Sequence, residues 1–317
     1  MGSYLLPIPI AALPAGNCAV NELTPGRALR EAVEENTIQV PGAFNALTAR
    51  LIEEYDFDAA YFSGAAFSTG TLALPDVGLF TLTELVQQVS YITRSVSLPI
   101  IVDADTGFGG PLNVQRTVLE LELAGAAAIQ LEDQQLPKRC GHLSGKALVE
   151  VEEMCAKLKA ASEVKQDSDL VIIARTDARG VTDLEDAIYR ANRYLEAGAD
   201  WIFPEALETP EEFEQFARAV EAPLVANMTE FGRSPLLSLE DLADLGYAAV
   251  LYPVTLMRVA MKAVEAALST LAEEGTQESL LDLMLTRQEL YDLIDYTDYE
   301  DRDRTYFEQA KRSGKKE

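Results

Sequence analysis

The sequence predicts a (β/α)8 barrel of the TIM type with a C-terminal helical extension, and three observations predict it. Eight short apolar runs alternate with amphipathic segments along most of the 317 residues. The runs are continuous in Val, Ile and Leu, as parallel strands covered on both faces are. Their C-terminal ends gather acids, amides and a guanidinium, on the face where barrel enzymes place their active sites.

The strand-like runs are TIQVPGAF (37–44), AAYFSG (59–64), PIIVDAD (99–105), AAIQLED (127–133), LVIIARTDA (170–178), DWIFPEA (200–206), PLVANM (223–228) and AAVLYP (248–253). Between them lie NALTARLIEEY, TLTELVQQVSYITRSV, VQRTVLELELAGA, VEEMCAKLKAASEV, LEDAIYRANRYLEAGAD, PEEFEQFARAVE and SLEDLADLGY. Their apolar positions recur at three- and four-residue steps, the helical period. Several stop at a Gly, and Asp183, Thr209 and Ser238 are placed as N-terminal caps. A doubly wound open sheet is the alternative, but no G-x-G-x-x-G follows the first run. The whole of 1–317 reads as one barrel domain. Its extension, from about residue 255 to 317, is charged yet rich in aromatics, which suits packing on a neighbouring subunit.

With 48% apolar residues the chain can fill one large core. Its net charge of −26 argues against nucleic-acid or anionic-membrane partners. The cations are 9 Lys and 17 Arg, so Lys is scarce beside the acidic excess, as on a salt-adapted surface or an ordinary acidic cytosolic enzyme. Three cysteines, Cys18, Cys140 and Cys155, are too few for a disulfide framework and suit a reducing compartment. The amino-terminal stretch lacks a basic n-region and is broken by prolines, so no signal peptide is expected. No apolar run reaches the ~20 residues of a membrane span. A cytoplasmic enzyme is expected.

Polar residues mark six of the eight run ends: Ser63, Asp103 with Asp105, Glu132 with Asp133, Arg175 with Asp177, Glu205, and Asn227. Asp103 and Asp105 would share one face of a strand. Two like charges so placed call for a cation. An all-oxygen set suits a hard ion, Mg2+ or Mn2+, and the single histidine, His142, excludes a multi-histidine zinc site. Capping a helix or pairing with Arg175 is the plainer role for these acids.

The segment PKRCGHLSGK (137–146) follows the fourth run as a long loop. Gly141 and Gly145 let it move, and Lys138, Arg139 and Lys146 point to an anionic ligand. Cys140 among these cations is suited to be a proton donor or nucleophile, with His142 tuning it or binding a carboxylate. None of the nine lysines stands at a run end, which favours a metal-assisted route over a Schiff base. The small residues of SGAAFSTG (63–70) offer backbone N–H groups to a carboxylate, and Asp76 is a loop acid beside them.

Together VDADTGFGG, LEDQ, PKRCGHLSGK, ARTDA, FPEA and NMTEFG resemble the isocitrate lyase / phosphoenolpyruvate mutase superfamily over nearly the whole chain. The cysteine of the K-R-C-G-H motif resembles the carbon–carbon lyase branch. Chain length, LYPVTLMR (251–258) and the segment 275–296 are most similar to the methylisocitrate lyases within it. The resemblance implies Mg2+-dependent retro-aldol cleavage of 2-methylisocitrate to pyruvate and succinate. Isocitrate or dimethylmalate cleavage and oxaloacetate decarboxylation remain open as relatives' activities. It implies Asp103 as the principal metal carboxylate, with Asp105, Asp76 and Glu132 around it. Ser63, Gly64 and Ala65 would hold a carboxylate of the pyruvate part, and Arg175 and Glu205 would contact the keto-acid portion. Cys140 would protonate the succinate carbon. Lys138, Arg139 and Gly141 are further contacts of its loop with substrate, and His142, Asn227 and Thr229 would bind the succinate carboxylates. Tyr61 would take the hydroxyl proton, and Leu251 and Pro253 would line the pocket for the extra methyl. A homotetramer with exchanged C-terminal helices is implied too. The turn Ser-Gly-Ala departs from the Ser-Gly-Gly common among methylisocitrate lyases.

Overall fold

The structure is a computed structural model that describes residues 23–139, 141–142 and 145–313. The segment read as lacking a signal peptide, with Cys18, lies outside them. Eight strands form: β1 Ile38–Pro41, β2 Ala60–Phe62, β3 Ile100–Asp103, β4 Ala128–Glu132, β5 Val171–Thr176, β6 Trp201–Pro204, β7 Val225–Asn227 and β8 Ala249–Tyr252. Every pairing between these strands is parallel. One ladder runs β1-β8-β7 and the other β2-β3-β4-β5-β6. Parallel bridges Gly42↔Tyr61 and Ile202↔Leu224 join the two ladders, so each strand has two neighbours and the sheet returns on itself. This is the barrel topology that the run–helix alternation predicts.

The two-residue alternation of a strand separates two cores. Tyr61, Ile101, Val171, Ile173, Trp201, Phe203, Val225, Ala249 and Leu251 pack together as one cluster. Their neighbours Phe62, Val102, Ile172, Ala174, Ile202, Ala226 and Val250 belong to the other, which also holds the helix residues Leu85, Val118, Leu158 and Phe216. The first cluster fills the barrel interior and the second the layer between strands and helices.

The expected helices form, with ends shifted by a few residues. Asp183, Thr209 and Ser238 each cap the helix that follows, accepting from Asp186, Glu212 and Asp241 backbone N–H groups. Two helices escaped the sequence reading. Pro25–Glu35 shows few apolar positions, yet its buried Leu29, with Ala32 and Val33, packs on the interior cluster. Arg30 anchors it by donating to Asp169 O (2.9 Å) and Asp200 Oδ1 (2.7 Å). Gly64–Gly70 is short and made of small residues, so it shows no apolar period.

After β8 come helix Thr255–Glu274, a 3-10 turn Glu278–Leu283, and helices Arg287–Leu293 and Tyr296–Ser313. Arg50 ties this extension back by donating to Leu293 O (2.8 Å) and Asp295 Oδ2 (2.7 Å). Leu268, Leu283, Tyr306 and Phe307 on it are all more than half exposed.

Candidate active site

The interior parity of each strand decides which side chains meet at its C-terminal end. On β3 the step from Ile101 leads to Asp103. On β4 it leads from Ala128 through Gln130 to Glu132. On β5 it leads from Val171 and Ile173 to Arg175. Beyond β6, Trp201 and Phe203 lead to Glu205, and on β7 Val225 leads to Asn227. The polar run ends therefore converge because they continue the inward set of their strands.

Asp105 departs from the expected arrangement. β3 ends at Asp103, and Asp105 lies beyond it at φ +48°, in the left-handed region. The two acids are brought together by that turn and not by the pleat of a shared strand face. Both carboxylates crowd Gly64: a Cβ there would lie 3.1 Å from Asp103 Oδ2 and 3.2 Å from Asp105 Oδ1. Asp103 is held on every side. Its Oδ2 accepts from Gly64 N–H (3.0 Å), and its Oδ1 accepts from Asp105 N–H and Gln130 Nε2, both at 3.2 Å.

A cavity of about 90 Å3 opens at this end of the barrel. Tyr61, Ser63, Ala65, Asp76, Asp103, Lys138, Arg139, Gly141, His142, Arg175, Glu205, Asn227, Thr229, Leu251 and Pro253 line it, all expected from the sequence. Phe203, Val254 and Arg258 line it as well and were not expected. Phe203 was legible from the parity of its run, and Arg258 as the basic residue one helical turn past the last strand. Gly64, Asp105 and Glu132 stand just behind this wall. Cys140 lies outside the described residues, while its neighbours Arg139 and Gly141 are on the wall.

Arg175 is the hub. Its Nε donates to Asp177 Oδ2 (3.0 Å) and its Nη2 to Asp177 Oδ1 (3.2 Å), while Nη1 faces Glu205 Oε2 at 3.3 Å. Its guanidinium lies over the Phe203 ring, 5.2 Å from the centroid. Asn227 Nδ2 donates to both Glu205 oxygens, at 3.2 and 3.3 Å. Burial pushes the Glu205 carboxyl up, but Arg175, His142 and Lys146 outweigh it and hold it at about 2. Asp133, next to Glu132, has the opposite parity. It accepts from Thr176, Asp177 N–H and Tyr194, and so braces the turn that carries Arg175 and Asp177.

The loop's two lysines are committed to the protein's own acids. Lys138 pairs with Asp105 Oδ1 (2.7 Å) and with Asp76 Oδ1. Lys146 donates to Asp177 Oδ1 (2.6 Å) and to the Gly141 carbonyl. At His142, Nδ1 accepts from the Arg233 N–H (2.9 Å), so the ring proton sits on Nε2, which faces Glu205 Oε1 at 2.7 Å. A side chain at Gly141 would displace the hub, because a Cβ there would press on Arg175 Nη2 and lie 2.5 Å from Glu205.

Tyr61 is buried, and its OH donates to Gln130 Oε1 (2.7 Å). Burial first, then Asp103, pushes the phenol well above its ordinary value. A neutral phenol whose proton is directed at an amide is poorly set to act as a base.

The acids fit a hard cation. Asp105 Oδ2 and Glu132 Oε1 are buried carboxylate oxygens with no hydrogen-bond partner among the described residues. Burial lifts Asp105 to about 7 against the pull of Lys138, and lifts Glu132 well above the usual carboxylate range. A positive ion between them would relieve that cost. Among the described residues no three acid, imidazole or thiol groups converge on one point; Mg2+ characteristically takes one or two carboxylates and keeps several waters.

The phosphoenolpyruvate phosphomutase family profile matches residues 27–272, the whole barrel. The chain belongs to that family. Within it, the 2-methylisocitrate lyase of Aeropyrum pernix is 56% identical over 280 residues, 88% of this chain and 90% of its own. The crystal structure of 2,3-dimethylmalate lyase, a member of the phosphoenolpyruvate mutase/isocitrate lyase superfamily, superposes with a TM-score of 0.84. It is 33% identical, covering 89% of this chain and 95% of that one. A phosphonopyruvate hydrolase solved with oxalate and Mg2+ superposes at 0.78, with 30% identity, covering 89% and 97%. Family members thus share this barrel across different reactions, and the side chains at its mouth must distinguish them.

Proposed function

We propose that the chain is a Mg2+-dependent carbon–carbon lyase that cleaves 2-methylisocitrate into pyruvate and succinate. The observation that carries this reading is the cavity where Asp103, with Asp105 behind it, meets Arg175, Glu205 and Asn227 beside Lys138, Arg139, Gly141 and His142. The 56% identity to a 2-methylisocitrate lyase supports the choice of substrate.

Asp103 would hold the ion, with Asp105, Asp76 and Glu132 acting through its waters; Mn2+ fits the same oxygens. Bound there, the ion supplies positive charge beside the substrate oxygen from which the keto group forms. Arg175 binds the keto-acid half, and its clasp by Asp177 leaves Nη1 toward the cavity. Ser63 and Ala65 line the side facing that half; the Gly64 N–H already serves Asp103. His142, Asn227 and Thr229 bind the succinate half, with Lys138, Arg139 and Gly141 closing that side. The substrate hydroxyl gives its proton to an unpartnered carboxylate of the acid cluster, the C–C bond breaks, and its electrons pass to the succinate carbon, which takes a proton from the Cys140 thiol; the proton taken up by the carboxylate then balances the one the thiol gave. Tyr61 suits accepting a hydrogen bond from that hydroxyl better than removing its proton. Leu251 and Pro253 give an apolar wall for the methyl group.

The same reading extends to the whole chain. Residues 1–317 work as one barrel domain, and about 255–317 exchange helices with a second subunit in a homotetramer. The bare apolar face of that extension supports this. A cytoplasmic location is in keeping with the enzyme. Among the described residues no helix is long and apolar enough to cross a membrane.

Assays of 2-methylisocitrate, isocitrate and dimethylmalate, each with and without EDTA, test the proposal. The first substrate is expected to lead in kcat/KM, by about 10- to 200-fold over isocitrate, since one methyl group discriminates by that much. Cys140→Ser is expected to keep substrate binding and lose about 10²- to 10⁴-fold in kcat. Preference for another substrate, or near-normal turnover of the serine variant, defeats the reading.

A further inference from the structure

Lys138 is the best-buried cation at the acid cluster, with its side chain only 4% exposed. It crosses from its own loop to two acids on different segments, Asp105 past β3 and Asp76 in the loop 75–80. The fold makes room for this crossing. Gly78 has φ +74°, and a Cβ there would lie 3.2 Å from Leu136 and 3.6 Å from Lys138 Cγ. An ammonium placed among anions in a low-dielectric site interacts strongly with whatever else enters.

Charge bookkeeping gives it a purpose. Fully ionised, as a bound cation would hold them, Asp76, Asp103, Asp105 and Glu132 bring four negative charges. Lys138 and Arg175 supply two positive charges, and Arg175 also answers Asp177 and Glu205. The balance left at the cluster is therefore at least two negative charges, which a divalent ion offsets. Without the ammonium the cluster would hold an ion more tightly, and without either cation its acids would repel one another.

We propose that Lys138 is a built-in counter-cation of the acid cluster: it keeps Asp76 and Asp105 assembled when the divalent ion is absent, and it weakens the ion's binding when present. The inference rests on the metal site of the proposed function and adds a role that a plain substrate-contacting lysine would not have. A lysine that merely organised the metal site would have the opposite signature, since its loss would weaken the ion.

The test is calorimetric titration of the full chain with Mg2+ alone, with no substrate, together with melting in EDTA and in excess Mg2+. Lys138→Met removes the charge and the donor. Lys138→Gln keeps a donor for Asp76 and Asp105 without the charge, and serves if the first variant folds poorly. Both are expected to bind Mg2+ about ten-fold or more tightly than wild type. Both should melt earlier in EDTA and gain more from Mg2+. Lys138→Arg, which keeps the charge, should stay within about three-fold of the wild-type Kd. Unchanged or weaker Mg2+ binding by the neutral variants, beside normal binding by wild type, overturns this inference alone. Failure of the wild type to bind Mg2+ overturns it together with the proposed function.

Discussion

Glu205 shows how one side chain is governed by its setting. It is fully enclosed, yet Arg175, His142 and Lys146 keep its carboxyl at about 2, below the ordinary 4.5. Folding therefore favours the ionised form. That contribution is complete above about pH 4.5 and is lost as the pH falls toward 2. Glu205→Gln takes up no proton there, so its melting temperature should fall less steeply than that of wild type between those limits. Parallel Tm-against-pH curves for the two proteins would refute this assignment. Lys146 matters at the same scale: its ammonium sits on Asp177 Oδ1 and leaves Arg175 a shared, longer bond to that oxygen. The loop and Arg175 are thereby joined through one carboxylate.

At the scale of elements, the barrel is built from strands three to six residues long, whose parity sorts side chains into an interior and an outer layer. Helix Pro25–Glu35 closes the interior with Leu29, fully buried in the cluster that also holds Ile38, Val171 and Trp201. Leu29→Ala is expected to cost about 2–5 kcal/mol, as large-to-small changes in a packed core do. Urea unfolding measures this, and kcat should be unaltered because the helix is anchored on Asp169 and Asp200, ahead of β5 and β6, at the opposite end of the strands from the cavity. A loss under about 1 kcal/mol would show that the helix is not part of the packed core.

For the whole molecule, the extension after β8 poses the question of what covers it. Helix Thr255–Glu274 carries Met261, Val264, Leu268 and Leu271 at three- and four-residue steps, each at least 43% exposed. An apolar stripe of that length in water is expected to be buried against another chain. Replacing Val264 and Leu268 with Asp should shift the protein to a smaller assembly, read by light scattering after gel filtration. An unchanged mass for the double variant would show that this stripe holds no subunits together.

By itself the sequence determined the barrel and most of its wall. Parallel strands must be apolar on both faces, and the helices between them must keep a 3.6-residue period, so both patterns survive in one dimension. Polar residues at strand ends are legible for the same reason: they interrupt those runs. The tertiary structure alone decided who meets whom. That Asp105 reaches Gly64 through a left-handed turn, that Gln130 joins Tyr61 to Asp103, and that Lys138 and Lys146 spend their charges on Asp105, Asp76 and Asp177 are all contacts between residues distant in the chain. Such contacts are set by how loops from different strands pack at one mouth, and no local pattern of residues carries that information.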